Sequence, residues 1–172
     1  TQQMEQATMK SLTDALTGLN NRPFLEKKMG ELINDELSGT LFMIDLDNFK
    51  KMNDTYGHMI GDAVLRNFAE TLKLYSKSDD ILCRLGGDEF VVLMKNVGTM
   101  ERIEMKAEQL REQLLLEVES DEGPLRFTSC IGISICEDAD KTYREMKEEA
   151  DREMYKMKKS GKNNYSICGK DC

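Results

Sequence analysis

The chain has little of what several common functions require. No apolar run approaches the about 20 residues of a membrane span, and nothing at the start reads as a secretory signal. Basic surplus is also missing: 24 Lys and Arg against 32 Asp and Glu leave a net charge of −8. Phosphate backbones are bound through a basic footprint, so a nucleic-acid surface, and with it a polymerase role, is disfavoured. The five cysteines are odd in number, and none stands in CxxC spacing. Cys83, Cys130 and Cys136 lie in strand-like apolar runs, where a thiol behaves as a small hydrophobe. A zinc site or disulfide scaffold is therefore not expected, and a reduced, cytoplasmic protein is. There is one histidine, His58, expected to stabilise the turn after Tyr56 rather than to take part in catalysis. Internal repeats and low-complexity segments are absent too.

What remains is a soluble composition, 40% apolar and 33% charged, over 172 residues, enough for one domain with a short appendage. The chain opens at Thr1 without an initiator methionine, and reads as an excised end of a longer protein. Residues 1–12 are polar with sparse apolar positions and read as the end of a connecting helix. Pro23 suits the first turn of a helix running to about residue 37. Leu41-Phe42-Met43-Ile44, ending at Asp45, is a buried strand, and Asp47 is placed to cap a helix beginning at Asn48. Gly57 and Gly61 break that helix, and a second runs from Asp62 to about Tyr75. Ile81–Leu85 and Phe90–Met94 flank Gly86-Gly87-Asp88-Glu89 as a β-hairpin. A long helix follows from about Thr99 to Glu117, then a charged loop over 119–124 and a strand over Phe127–Cys136. Tyr143, Met146, Ala150, Met154 and Met157 stripe a last helix, and Asn164–Cys168 makes an edge strand. This order predicts an α+β fold with an antiparallel-rich sheet and helices packed on it.

The chemistry concentrates in carboxylates at strand ends. A lone Gly-Gly-Asp is compatible with a polar turn, although paired glycines also let a ligand approach closely. Asp45 closes an apolar strand, and if that strand lies beside the hairpin, Asp45 and Asp88 meet at one edge. Mg²⁺ needs only one or two protein carboxylates when phosphate oxygens supply the rest. Together the two acids tilt the balance toward a metal site and away from two solvated turn residues. Asp47 is expected to be a plain N-cap instead of a ligand.

The motifs extend well beyond the hairpin. Asp14-Ala15-Leu16-Thr17-Gly18-Leu19-Asn20-Asn21-Arg22 is followed by Phe42-Met43-Ile44-Asp45-Leu46-Asp47-Asn48-Phe49-Lys50. Asn53-Asp54-Thr55-Tyr56-Gly57-His58 with Gly61-Asp62 comes next, and then Arg84-Leu85 leads into Gly86–Phe90. Ser129–Ser134, Ala150-Asp151 through Tyr155, Lys158 and Gly161-Lys162-Asn163 complete the series. From Asp14 onward the chain resembles the GGDEF-domain diguanylate cyclases, which join two GTP molecules into cyclic di-GMP on a palm-like fold. The resemblance implies a ferredoxin-like-related central sheet, mostly antiparallel and flanked by helices. Residues 13–172 would be the catalytic domain, after a linker or signalling-helix end at 1–12.

The resemblance also implies roles. Asp45, the Leu46 carbonyl and Asp88 would hold Mg²⁺, with Mn²⁺ as an alternative. Asp88 and Glu89 would be catalytic, with the general base assigned to either. Asn53 and Asp62 match positions that read guanine; a carboxylate accepts from guanine's ring N–H and exocyclic amine, a donor pair adenine lacks. For Asp62 a helix N-cap after Gly61 is the competing role. Phe49, Gly86 and Gly87 would touch substrate, and Lys158 and Lys162 would take its phosphates. Where relatives often carry arginine, Lys162 is a monodentate substitute. Each domain would hold one GTP, so activity requires a homodimer, driven by an upstream sensory domain. The protein would be cytoplasmic, or the cytosolic domain of a membrane-anchored sensor.

One departure stands out. Relatives often carry an Arg-x-x-Asp inhibitory motif, and here the window reads Lys77-Ser78-Asp79-Asp80. Lysine cannot reproduce arginine's two-bond fork, so product feedback is expected to be weak or absent. The alternative to an active cyclase is a catalytically silent domain that binds GTP or a protein partner. A palm-fold adenylate- or guanylate-type cyclase is disfavoured by Asp62 and the full signature.

Overall fold

The computed structural model describes residues 12–34, 38–96 and 98–169. The expected linker therefore falls outside the described residues except for Leu12, as does the end of the first helix beyond Asn34. The described elements are α1 (Arg22–Asn34), β1 (Gly39–Leu46), α2 (Phe49–Tyr56), α3 (His58–Leu74), β2 (Ile81–Gly86) and β3 (Glu89–Met94). They continue with α4 (Met100–Gln113), β4 (Leu116–Ser120), β5 (Gly123–Phe127), β6 (Ser129–Cys136), α5 (Tyr143–Lys159) and β7 (Asn164–Ile167). Five strands form one sheet in the order β2-β3-β1-β6-β7, antiparallel except for the β6–β7 pair. The mixed α+β architecture expected from the element order is the one observed.

Strand alternation divides the core into two layers. Phe42, Ile44 and Leu46 of β1 face one side, where Val64, Phe68 and Leu72 of α3 and Ile103, Ala107 and Leu110 of α4 cover them. Leu41 and Met43 face the other, against Leu25 and Met29 of α1 and Met146, Ala150 and Met154 of α5. Each Leu, Ile or Phe so buried contributes about 1.5–3 kcal/mol of transfer free energy. By the same alternation, Asp45 falls on the α5 side of the sheet. No helix among the described residues is long and apolar enough to cross a membrane.

Four local expectations are revised. The α2 helix is not capped by Asp47: its N-cap is Asn48, in the left-handed region at φ 58°, with no side-chain cap bond. Asp47 faces inward instead. Gly57 alone separates α2 from α3, at φ 93°, while Gly61 lies buried inside α3. Asp62 is then within the helix and cannot be its cap, because Gly57 holds that position. Finally, α4 ends at Gln113, and residues 116–127 form the separate β4–β5 hairpin. Leu116, Val118 and Ser120 are partly buried while Glu117 and Glu119 are exposed, a period of two that a helix cannot use.

Among the described cysteines, Cys83, Cys130 and Cys136 are buried thiols, as their apolar surroundings suggest. Cys168 is disulfide-bonded, which departs from the fully reduced chain expected.

Candidate active site

The β1–β3 pairing sets the site. Asp45 lies opposite Glu89 in the antiparallel register, so the two side chains share a face of the sheet at its edge. The turn between β2 and β3 is Gly87-Asp88, and both glycines of the signature adopt positive φ, 145° at Gly86 and 52° at Gly87. A side chain at either would meet no neighbouring atom within 4 Å. It is the left-handed backbone, not crowding, that calls for glycine there. This bend sets Asp88 close enough to Asp45 to raise the Asp45 carboxyl.

Arg84 braces the turn. Its Nε donates to the Gly87 carbonyl at 2.9 Å, and its Nη1 donates to Asp14 Oδ1 at 2.9 Å. Asp14 Oδ2 in turn accepts from the Thr17 amide and hydroxyl at 2.9 and 2.7 Å. Glu89 has a cation nearby in Arg22, with Nη2 4.0 Å from Oε2. The Arg84–Asp14 link spans 70 residues of chain and carries no signal in local spacing.

Asp45, Leu46, Phe49, Asp88, Lys158 and Lys162 line one open cleft of about 580 Å³. Lys158, from the last turn of α5, donates to Asp47 Oδ1 at 2.8 Å and to the Leu46 carbonyl at 3.1 Å. Its Nζ is also 3.7 Å from Asp45 Oδ2. Lys162 donates to Asn48 Oδ1 at 2.6 Å. Asn53 and Asp62 are not in the cleft wall; Asn53 lies on α2 and Asp62 on α3, on either side of Gly57. Asn53 Nδ2 meets His58 Nδ1 at 3.1 Å, which joins the two helices across Gly57 as expected for that histidine. A methyl group on Gly61 would clash with Asn53 Oδ1 and stand 3.4 Å from Phe49 Cζ. Phe49 thereby connects the cleft to the contact between Asn53 and Gly61.

The electrostatics divide Asp45 from Asp47. Burial pushes the Asp45 carboxyl up to about 8, reinforced by Asp88 and only partly offset by Lys158. Its Oδ1 is buried without any hydrogen-bond partner. A carboxylate crowded by a second carboxylate, with an unused buried oxygen, fits a divalent cation that neutralises both. No group of three His, Cys, Asp or Glu side chains converges on a metal position among the described residues. The donor set therefore suits a hard cation completing its shell from phosphate and water, such as Mg²⁺, and not an all-protein cage. Asp47 behaves in the opposite way. Burial opposes its charge, yet donors from Cys130, Lys158, Thr128 and Asn163 hold it below the usual carboxylate range.

Lys77 and Asp80 lie elsewhere. The Lys77 amide donates to Asp80 Oδ2 at 2.9 Å, and the Asp80 amide to the Lys77 carbonyl at 3.0 Å, closing a turn. Both residues line a second groove of about 520 Å³ with Arg102 and Lys106.

The chain is similar to known proteins over most of its length. The family model described as "Diguanylate cyclase, GGDEF domain" matches residues 11–164. The chain is similar to the response regulator PleD of Caulobacter vibrioides, with 35% identity over 167 residues, 93% of this chain and 36% of PleD. It is also similar to diguanylate cyclase DgcS of Shewanella oneidensis, with 32% identity over 170 residues, 96% of this chain and 55% of DgcS. The chain thus spans between about a third and just over half of these relatives. Among solved structures, diguanylate cyclase SiaD of Pseudomonas aeruginosa, in complex with its activator SiaC, superposes with a TM-score of 0.86. That match has 29% identity and covers 97% of this chain and 67% of SiaD. Sequence motif, sheet order and strand-end acids lead to one assignment: this chain belongs to the GGDEF-domain diguanylate cyclase family.

Proposed function

We propose that the chain condenses two molecules of GTP into cyclic di-GMP and releases pyrophosphate. The observation that carries this is the meeting of Asp45, with its unpartnered buried oxygen, and Asp88 in one cleft with Lys158 and Lys162. Asp45, the Leu46 carbonyl and Asp88 would hold Mg²⁺, or Mn²⁺, which when bound neutralises charge on the phosphates and lowers the pKa of the attacking hydroxyl.

The chain's own residues do the rest. Lys158 and Lys162 receive the phosphate oxygens as point charges. Asn53 and Asp62 accept the guanine edge, with Phe49 between the Asn53–Gly61 contact and the cleft and Gly86-Gly87 leaving the turn open to substrate. One GTP's 3′-hydroxyl attacks the other's α-phosphorus, the bond to pyrophosphate breaks, and the hydroxyl proton passes to Glu89 or Asp88. Each chain binds one GTP, so two chains face each other antiparallel for both bonds to form. The greater length of the relatives fits an upstream input domain that sets this dimerisation, acting in the cytoplasm.

The test is to incubate the chain with GTP and Mg²⁺ and resolve the products chromatographically. Cyclic di-GMP from the wild type and none from Asp88→Ala is the expected result. No product at high protein concentration with dimerisation enforced would overturn the reading and leave a catalytically silent GTP-binding or protein-interaction domain.

Feedback by product should be weak, because Lys77 stands where a bidentate arginine would be needed and Asp80 is closed onto the Lys77 amide. In titration calorimetry, cyclic di-GMP should show no tight binding beyond the active site. Additional tight sites that disappear in Lys77→Ala would refute this.

A further inference from the structure

Asp47 accepts four hydrogen bonds, and its expected role as the N-cap of α2 does not fit. It is buried, at 4% exposure, at the end of β1. Oδ1 accepts from Lys158 Nζ at 2.8 Å and Cys130 Sγ at 3.0 Å. Oδ2 accepts from Thr128 Oγ1 at 2.5 Å and the Asn163 amide at 3.0 Å. An ionised carboxylate offers about four lone-pair sites, and all of them are taken. No acceptor is left for a metal, and none of the four donors belongs to the first turn of α2.

The donors come from three places. Thr128 immediately precedes β6 and Cys130 lies at its start, and the Asp47 amide itself donates to the Thr128 carbonyl at 2.8 Å, so this side anchors the carboxylate to the sheet. Lys158 is on the last turn of α5, and Asn163 is in the loop that follows. That loop runs through three consecutive positive φ values, 110° at Gly161, 65° at Lys162 and 47° at Asn163. Non-glycine residues hold such a path only where surrounding bonds impose it. Lys162, inside this path, also lines the cleft.

We infer that Asp47 is a positioning residue for the substrate phosphates: a sheet-anchored strut that fixes the Lys158 ammonium over the cleft and pins the loop presenting Lys162. The inference rests on the reading of these two lysines as the phosphate-receiving cations. Asparagine would have the same size but would turn an NH₂ donor toward two of the four donors, so the strut fails without a cavity forming.

The experiment combines kinetics with NMR. Asp47→Asn should raise the KM for GTP at least about tenfold with a smaller change in kcat, and in a Lys158→Met, Lys162→Met background the same substitution should change KM by less than about threefold. Equal effects in both backgrounds, or none in either, would overturn the proposal. Independently of turnover, the ¹⁵Nζ resonance of Lys158 should be resolved in the wild type and lost to exchange in Asp47→Asn; an unchanged resonance counts against the strut. If the wild type makes no cyclic di-GMP, the functional reading fails while the resonance still decides the strut. Should Asp47→Asn not fold, Lys158→Met decides: the Asn163 amide keeps its hydrogen-exchange protection if Asp47 is held by the sheet, and loses it if Lys158 was holding the loop.

Discussion

Asp45→Asn will abolish turnover and at the same time stabilise the metal-free fold at alkaline pH. The two effects share one cause. Burial raises the Asp45 carboxyl to about 8 from the usual 3.8, and Asp88 adds to the shift. Between those pH values the folded chain holds a proton that the unfolded chain has released. The stabilising contribution is therefore complete below about 3.8 and is lost progressively as pH rises through 8. Asparagine removes the ionisation and keeps the volume, so the variant should gain on the order of a few kcal/mol over the wild type above pH 8. It should also lose the wild type's decline in melting temperature between pH 5 and 8.5. Added Mg²⁺ should raise the wild-type melting temperature more at pH 8.5 than at pH 5, and leave the variant unmoved. Turnover should fall by roughly 10³-fold or more, the scale of several kcal/mol of charge stabilisation. A variant that melts below the wild type at pH 8.5, or that retains activity, would contradict this account.

The asymmetry between Asp45 and Asp47 also shows what the sequence made legible. Apolar runs ending in acids placed β1, the hairpin and their shared edge, because burial of a strand on both faces leaves a continuous apolar run that is readable one residue at a time. Positive φ at Gly86-Gly87 followed from residue type alone. Asp47 was misread because the rule for N-caps is local, whereas the donors that recruit its side chain lie 81 to 116 residues further along. The Asp14–Arg84 link was invisible for the same reason: both residues stand in the motifs, but they are 70 residues apart and nothing local joins them. Asp62 after Gly61 looked like a cap because glycine usually marks a break. Gly61 is instead needed small, inside α3, to admit the Asn53 side chain. The β4–β5 hairpin was hidden by a charged tip and by short strands whose alternation is only partly apolar.

Gly132→Ala should be the most damaging single methyl that the sheet can receive. Gly132 sits in β6 between the buried Ile131 and Ile133, and it faces α5 at the closest approach of helix and sheet. A Cβ there would overlap the Ala150 carbonyl oxygen and stand 2.5 Å from the Met154 amide nitrogen. Both are backbone atoms, so no side-chain rotation relieves the contact and the helix must move as a body. Overpacking of this kind costs about 3 kcal/mol or more, equivalent to a fall in melting temperature of roughly 6–12 °C for a chain of this size. The displacement also has a functional consequence. Met154 precedes Lys158 by one helical turn, so lifting α5 off β6 draws the Lys158 ammonium away from Asp47 and the Leu46 carbonyl. Activity per folded molecule should therefore fall along with stability. Gly30→Ala is the matched control: it lies in α1 with no atom within 4 Å of the added methyl, and alanine should stabilise that helix by about 0.5–1 kcal/mol. If Gly132→Ala melts within about 2 °C of the wild type, less than 1 kcal/mol of penalty, α5 does not rest on the sheet closely enough to fix Lys158. A lower melting temperature with full specific activity would instead separate the packing of the helix from the placement of its lysine.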